Sequence, residues 1–191
     1  MKLLENAILE KGKILPGNIL KIDSFLNHNI DVSLVSKLGE EFYRLYKDCS
    51  ITKILTIEAS GIAVACFTAQ YFNVPVLFAK KEKTGNIGDE LYSAPVHSYT
   101  HNKDYTAVIS KEFILSADRV LIVDDFLAEG SALLAMISLV QQSGATVAGA
   151  GIVVEKAFQD GGKIVRNQGY RVESLAKIAS FSEEGLEFVK E

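Results

Sequence analysis

The sequence has 191 residues, of which 48% are hydrophobic and 23% are charged, a composition typical of a globular protein with a buried core. Its net charge of −4 argues against nucleic acid as the main partner. No apolar run approaches the roughly 18 residues of a membrane span, and the N-terminal stretch does not resemble a signal peptide. We therefore expect a cytoplasmic protein with no nucleic-acid or membrane partner.

The predicted elements alternate between helices and short apolar strands. A helix over 2–11 is followed by an amphipathic helix that Asp31 caps. Strands are predicted at 53–57, 75–79, 119–123 and 146–154, with helices between them at 62–73 and 131–143. A last helix near 161–168 precedes strands near 170–179 and 186–190. This order predicts an α/β fold with a parallel core sheet, and the absence of a linker predicts one domain over 1–191.

Residues 80–110 interrupt this alternation with a long polar stretch. Connections of this length inside a compact domain are often functional lids, so we predict a flexible loop that leads into an antiparallel strand pair, 95–99 with 105–110. Three lysines open this loop: Lys80, Lys81 and Lys83. They either form an ordinary solvated surface or stabilise negative charge on a leaving group.

The cysteines and histidines carry no recognisable chemistry. Cys49 and Cys66 give no disulfide framework, and Cys66 lies within the apolar stretch GIAVACFTA, which predicts a small core residue. The three histidines, His28, His97 and His101, have no metal-ligand spacing. The sequence therefore predicts no metal site built directly from protein side chains.

The stretch VLIVDDFLAEGSA, residues 120–132, combines a buried strand with two adjacent carboxylates and a glycine turn. Ligands of parallel sheets bind at the carboxyl ends of the strands, where Asp124 and Asp125 are expected. The turn leads into a helix near Ser131, whose N-terminal N–H groups suit an anion. This arrangement fits a sugar phosphate, although the acids could instead merely cap a turn.

This stretch resembles the phosphoribosyl-pyrophosphate signature of the type I phosphoribosyltransferases. The resemblance implies that Asp124 and Asp125 bind the ribose hydroxyls. It also implies that a contiguous loop binds the 5′-phosphate: Ala128, Glu129, Gly130, Ser131 and Ala132. The family commonly has threonine at position 129, so the Glu129 carboxylate is expected to point away from the phosphate, with Ser131 supplying the hydroxyl.

The loop EASGI, residues 58–62, follows the strand 53–57 as the pyrophosphate loop follows the first core strand in these enzymes. It resembles the E-S-R-G-F loop of adenine phosphoribosyltransferases, with Ser60 at the position of the arginine. Ser60 and Gly61 leave the backbone free to approach an anion closely. A plain strand-to-helix turn remains the alternative. We predict that Ser60, Gly61 and Lys81 bind the donor.

Nearly the whole chain is similar to the bacterial xanthine phosphoribosyltransferases, through ILKIDSFLNHNID at 19–31, the 58–61 loop, VDDFLAEG and GIVVEKAFQ at 151–159. The resemblance implies that Leu20, Asn27 and Lys156 contact the purine and that residues 19–28 form a small hood over the site. Without the resemblance, Lys156 would be read as a lysine whose ammonium reaches solvent from a strand end.

The resemblance implies that xanthine and phosphoribosyl pyrophosphate are converted to xanthosine monophosphate and pyrophosphate. Mg²⁺ would be bound mainly by substrate oxygens, and the enzyme would be a homodimer. Ala128 stands where some 6-oxopurine relatives have an aspartate, so no general base is evident. Two alternatives stay open: transfer to adenine, hypoxanthine or guanine, and a donor-sensing, nucleic-acid-binding regulator on the same fold.

Overall fold

A computed structural model describes residues 1–82, 90–98, 103–182 and 185–190. Within these residues a six-stranded sheet forms the centre of the molecule. Its strands, in spatial order, are β10 (Gly185–Phe188), β9 (Val172–Ser182), β8 (Thr146–Lys156), β7 (Arg119–Leu127), β3 (Lys53–Ile57) and β4 (Val76–Ala79). Only the pairing of β10 with β9 is antiparallel, and the other neighbours are parallel. The predicted parallel core is confirmed.

Helices connect the parallel strands and cover both faces of the sheet. Three of them follow a strand directly: α3 (Gly61–Phe72) after β3, α4 (Ser131–Gln142) after β7 and α5 (Gly161–Asn167) after β8. Two others come before the sheet: α1 (Lys2–Lys11) and α2 (Val32–Tyr46), which begins where the Asp31 carboxylate accepts the Leu34 N–H. The chain thus alternates strand and helix, as its apolar pattern predicts.

Two apolar cores lie on opposite faces of the sheet because successive strand side chains alternate in direction. In β7, Leu121 and Val123 join a core with α1, α2 and α3, whereas Val120 and Ile122 join a core with α4 and α5. β7 is therefore buried on both faces, which explains why its sequence is continuously apolar up to the acid pair.

Two small antiparallel pairs lie outside the main sheet. β1 (Lys13–Leu15) pairs with β2 (Ile19–Lys21), and a single π-helical turn, Asp23–Asn27, follows. β5 (Leu91–Ser98) pairs with β6 (Lys103–Ser110), which confirms the predicted hairpin with longer strands. No helix among the described residues is both long and apolar enough to cross a membrane.

Some boundaries and one burial prediction were wrong. β7 continues to Leu127 and β8 to Lys156, because their pairing persists through Asp124↔Ile152 and Leu127↔Glu155. The acid pair therefore lies within β7, a few residues before its end, and not beyond it. Cys66 is exposed rather than buried, because it lies on the side of α3 that faces away from the core.

Candidate active site

Asp124 and Asp125 lie near the carboxyl end of the central strand β7, and both are buried, with 5% and 7% exposure. The Asp125 N–H donates to Asp124 Oδ1 at 3.0 Å. Burial, and then the neighbouring Asp125 carboxylate, raise the pKa of Asp124 well above its ordinary value. Two adjacent acids with little competing solvent are well suited to accept hydrogen bonds from a polyhydroxyl ligand.

The 58–61 loop meets this acid pair directly. β3 ends at Ile57, and α3 begins at Gly61, which is buried. A β-carbon built on Gly61 would overlap Thr56 Oγ1 and would lie 2.9 Å from Asp124 Oδ1. The glycine is therefore required by the close packing of the start of α3 against Thr56 and Asp124, whereas the binding of a donor by Ser60 and Gly61 stays a prediction.

Thr56 is a candidate that the sequence reasoning missed. It is fully buried in β3, and its hydroxyl has no hydrogen-bond partner within the part of the chain that the structure describes. Such hydroxyls are usually paired, because desolvation without a partner is costly. The only sequence signal was a threonine within the otherwise apolar end of KILTI, a residue that strands commonly contain.

Lys81 is attached to the same region through its backbone and its side chain. Its N–H donates to the Glu58 carboxylate at 2.7 Å, and its ammonium lies 5.5 Å from the centre of the Tyr105 ring. The positive charge of Lys81 also opposes the rise in the pKa of Asp124. Burial, and then the Asp124 charge, raise the pKa of Tyr105, so this hairpin residue belongs to the same electrostatic group.

Part of the predicted lid lies outside the described residues. These are residues 83–89, which include Lys83, and 99–102, which include His101. The prediction that the 80–110 stretch works as a lid over the site therefore remains a prediction.

The loop from Ala128 to Gly130 turns sharply into α4. Gly130 has a φ of 88°, a left-handed conformation that glycine adopts readily, and Ser131 and Ala132 begin the helix. The first N–H groups of α4 have no partners within the helix and are available to an anion. Ser131 Oγ accepts the His97 N–H at 2.9 Å, which leaves its own proton available for donation.

Lys156 lies at the end of β8 and contacts the residue that immediately precedes the hood. Its ammonium donates to the Asn18 carbonyl at 3.0 Å, next to Ile19 where β2 begins. Burial lowers the pKa of Lys156, and the Glu129 carboxylate opposes that effect. The Glu129 charge therefore acts on Lys156, and the prediction that the Glu129 carboxylate points away from the phosphate stays a prediction.

The two other predicted purine contacts belong to the hood. Leu20 lies in β2 and is buried in the core that contains α1 and α2. Asn27 ends the π-helical turn, and its side-chain carbonyl is buried without a partner among the described residues. The Gln159 side-chain carbonyl, just beyond Lys156, is in the same condition. Buried acceptors without partners suit a ligand that carries N–H groups, and a lysine donor suits one that carries carbonyl groups.

The protein offers a limited ligand set for a metal ion. Among the described residues, no group of three or more His, Cys, Asp or Glu side chains could bind an ion. Asp124 and Asp125 are the two buried carboxylates at the site, and Glu58 and Glu129 lie in its two loops. A divalent cation here would need most of its oxygen ligands from the substrate and water, which is the binding mode Mg²⁺ favours.

The chain is similar to known proteins over nearly its whole length. A family model described as the phosphoribosyl transferase domain matches residues 22–179. The xanthine phosphoribosyltransferase of Lachnoclostridium phytofermentans is 53% identical over 184 residues, which cover 96% of this chain and 95% of that protein. The xanthine phosphoribosyltransferase of Ruminiclostridium cellulolyticum is 50% identical over 190 residues, with 100% coverage of both chains.

Solved structures of adenine phosphoribosyltransferases share the fold. The enzyme from Thermoanaerobacter pseudethanolicus superposes with a TM-score of 0.74 at 24% identity, over 91% of this chain and 99% of that one. The enzyme from Trypanosoma brucei, in complex with AMP, pyrophosphate and ribose-5-phosphate, gives 0.77 at 19% identity, over 95% and 82%. At these identities the likeness concerns the backbone architecture alone.

Proposed function

The chain belongs to the phosphoribosyl transferase domain family, and from that premise we propose that it converts xanthine and phosphoribosyl pyrophosphate to xanthosine monophosphate and pyrophosphate. The observation that carries this proposal is that the chain is 50–53% identical, over nearly its full length, to proteins named xanthine phosphoribosyltransferase. The arrangement of donors and acceptors around the acid pair and Lys156 provides its physical basis.

The phosphoribosyl donor spans two loops at the carboxyl ends of β3 and β7. Asp124 and Asp125 accept hydrogen bonds from the ribose hydroxyls between these loops. Residues 128–132 bind the 5′-phosphate through backbone N–H groups at the start of α4 and through the Ser131 hydroxyl. Ser60, Gly61 and Lys81 bind the pyrophosphate, and the Lys81 ammonium offsets its negative charge.

Xanthine binds between the end of β8 and the hood. The Lys156 ammonium can only donate hydrogen bonds, so it favours a purine with a carbonyl at C6 over adenine, which has an amino group there. The buried Asn27 carbonyl accepts a ring N–H, and Leu20 limits the pocket on its apolar side. The positive charge of Lys156 also favours the xanthine anion, which reduces the need for a general base.

In the reaction, a xanthine ring nitrogen forms a bond to ribose C1 while the bond from C1 to the pyrophosphate oxygen breaks, and the imidazole proton of xanthine is released to water. The enzyme contributes mainly by positioning the two substrates and by stabilising the charge that develops on pyrophosphate. Asp124 and Asp125 fit a Mg²⁺ ion bound with the donor. Such an ion would neutralise part of the pyrophosphate charge.

We also propose that residues 1–191 form one domain and that the enzyme is a homodimer in the cytoplasm. Support for self-association comes from an apolar groove along the sheet edge at β4, where Phe78, Phe113 and Leu115 are exposed. Cys49 and Cys66 are both free thiols, as expected in a reducing compartment. Light scattering of the purified protein tests the dimer.

The decisive experiment measures pyrophosphate release with xanthine, guanine, hypoxanthine and adenine in turn, at saturating phosphoribosyl pyrophosphate and Mg²⁺. We expect xanthine to give the highest kcat/KM, guanine and hypoxanthine lower values, and adenine essentially none. Each unpaired buried donor or acceptor lowers kcat/KM roughly tenfold to a hundredfold. Efficient use of adenine would refute the assignment of Lys156 to the base.

A further inference from the structure

The first residue of α5 lies directly against the 128–130 loop. The Gly161 N–H donates to the Ala128 carbonyl at 3.1 Å. A β-carbon built on Gly161 would overlap that carbonyl oxygen and would lie 2.5 Å from the Gly130 nitrogen and 2.6 Å from the Glu129 carbonyl carbon. Real β-carbons essentially never approach other atoms within 3.0 Å. Any side chain at position 161 would therefore require the backbone to move.

The contact is equally close from the loop side. A β-carbon built on Gly130 would lie 3.0 Å from the Gly161 α-carbon. The two glycines thus face each other backbone to backbone, although 31 positions separate them in the sequence, as their numbers show. Gly130 also needs its left-handed φ of 88°, whereas Gly161 lies at the start of an α-helix. The helical backbone conformation of residue 161 does not require glycine, but the lack of room for a β-carbon does.

A glycine here is unfavourable for the helix itself. Glycine has the lowest helix propensity of all residues except proline, and α5 has only seven residues, the first two of which are glycine. The second, Gly162, has its own packing reason, because a β-carbon there would overlap Glu155 Oε1 and lie 2.5 Å from Arg166 Nη1. Both glycines are thus explained by what lies against them.

The helix cannot easily withdraw from the loop. Arg166 of α5 donates to both Glu155 oxygens, at 2.6 and 2.7 Å, and Glu155 is 4% exposed in β8. The Ser174 hydroxyl of β9 donates to the same carboxylate. These bonds attach α5 to the central sheet, so a side chain at position 161 would displace the 128–130 loop more readily than the helix.

We propose that Gly161 is a positioning residue of the donor site: its bare backbone sets the path of the 128–130 loop, and with it the direction of the N–H groups offered to the 5′-phosphate. This inference rests on the proposed function of that loop. Gly161 lies outside the 120–132 signature. It connects the base side of the site, where Lys156 ends β8, with the phosphate side.

The test compares Gly161→Ala with the parent enzyme, using ribose 5-phosphate and pyrophosphate as separate probes in calorimetric titrations with Mg²⁺ present. Because the displaced loop loses hydrogen bonds to a charged phosphate, we expect ribose 5-phosphate affinity to fall by about tenfold or more. Pyrophosphate binds at the 58–61 loop, so its affinity should not change. In steady-state assays KM for phosphoribosyl pyrophosphate should rise more than kcat falls.

Gly39→Ala is the matched control. A β-carbon on Gly39 of α2 would lie 2.7 Å from the Phe67 carbonyl carbon and 2.8 Å from its oxygen, which is also an overlap with backbone, less close than that at Gly161 and located between α2 and α3. We expect Gly39→Ala to lower the melting temperature without changing ribose 5-phosphate affinity. Equal losses of ribose 5-phosphate affinity in the two variants would show that the effect is general destabilisation and would overturn the inference.

A second variant covers the case in which Gly161→Ala does not fold. Arg166→Lys keeps the positive charge but not the two-point hydrogen bonding to Glu155, so it loosens the attachment of α5. It should weaken ribose 5-phosphate binding while leaving pyrophosphate binding unchanged. Parent-like ribose 5-phosphate affinity in Gly161→Ala, or in Arg166→Lys if the first variant is insoluble, would refute the positioning role. If the parent itself fails to bind ribose 5-phosphate, the proposed function of the loop is wrong instead.

Discussion

Replacing Arg166 with methionine should destabilise the enzyme strongly, because it leaves a buried carboxylate without its cation. Burial by itself raises the pKa of Glu155, but the hydrogen bonds from Arg166 and Ser174 outweigh burial, and the net pKa is lowered. Breaking a buried ion pair by removing one partner costs roughly 3–5 kcal/mol. The Arg166 side chain is 34% exposed, so we expect the lower end, about 3 kcal/mol.

Urea unfolding measures this loss. For a chain of this size the denaturant slope is about 2–3 kcal/mol per molar urea, so the midpoint should fall by about 1–1.5 M. Arg44→Met is the matched control, since Arg44 also donates two hydrogen bonds to a carboxylate, that of Glu41, but its side chain is 65% exposed. Exposed pairs contribute little, so the control should unfold near the parent midpoint.

The stability lost in Arg166→Met should depend on pH in a characteristic direction. In the parent, the lowered pKa of Glu155 contributes stability that is present above the ordinary value of 4.5 and is lost as the pH falls through the folded-state pKa. In Arg166→Met, burial without a cation should raise that pKa, so the variant gains stability relative to the unfolded state as the pH falls. The difference in free energy of unfolding between the parent and Arg166→Met should therefore become smaller as the pH is lowered from neutral toward 4.5.

A double variant, Arg166→Met with Glu155→Leu, removes both charges and should recover most of the lost stability, because apolar replacement of a buried pair is often neutral. A midpoint for Arg166→Met equal to that of Arg44→Met would refute the reasoning. A double variant less stable than Arg166→Met would also refute the reasoning, because the unpaired Glu155 carboxylate would then not be the cause of the lost stability.

Three further predictions concern the site. The double variant Asp124→Asn with Asp125→Asn should abolish pyrophosphate release without lowering the melting temperature near neutral pH. Because the pKa of the Asp124 carboxyl is raised in the folded state, that carboxyl makes the fold less stable as the pH rises. Replacing Asp124 with asparagine removes this loss of stability. Full activity in the folded double variant would contradict the ribose role. Gly130→Val should weaken donor binding about tenfold, because valine disfavours the φ of 88° and its side chain would collide with Gly161. Unchanged donor affinity in a titration would contradict the assignment of residues 128–132 to the phosphate. Lys156→Ala should lower kcat/KM for xanthine about tenfold to a hundredfold with little change in KM for phosphoribosyl pyrophosphate, and a variant that keeps its preference for xanthine would contradict the base assignment.

The burial of Asp124 and the position of Lys156 have a common origin in the pairing of β7 with β8. The sequence predicted that both strands end at the last apolar residue, Val123 and Val154. Their ladder instead continues through Leu127↔Glu155, and the acid pair lies inside it. Each strand end was misjudged because a neighbouring strand supplies hydrogen bonds that make polar residues tolerable in extended backbone.

The amino-acid sequence by itself determined the parallel α/β alternation, the helix cap at Asp31, the glycine turn at Gly130 and the carboxylates placed before that turn. These features depend on short stretches of chain, whose hydrophobic period and backbone preferences act locally. The purine contacts came only from resemblance, because nothing in Leu20 or Asn27 distinguishes them locally.

Only the tertiary structure decided which distant residues meet. It placed Gly61 against Asp124, Ser131 against the His97 N–H and Gly161 against the 128–130 loop, and it exposed Cys66. The unpaired Thr56 hydroxyl also became visible only there. Each of these facts depends on how helices and strands pack across the sheet, and the composition of a single segment does not encode the shape of the surface that packs against it.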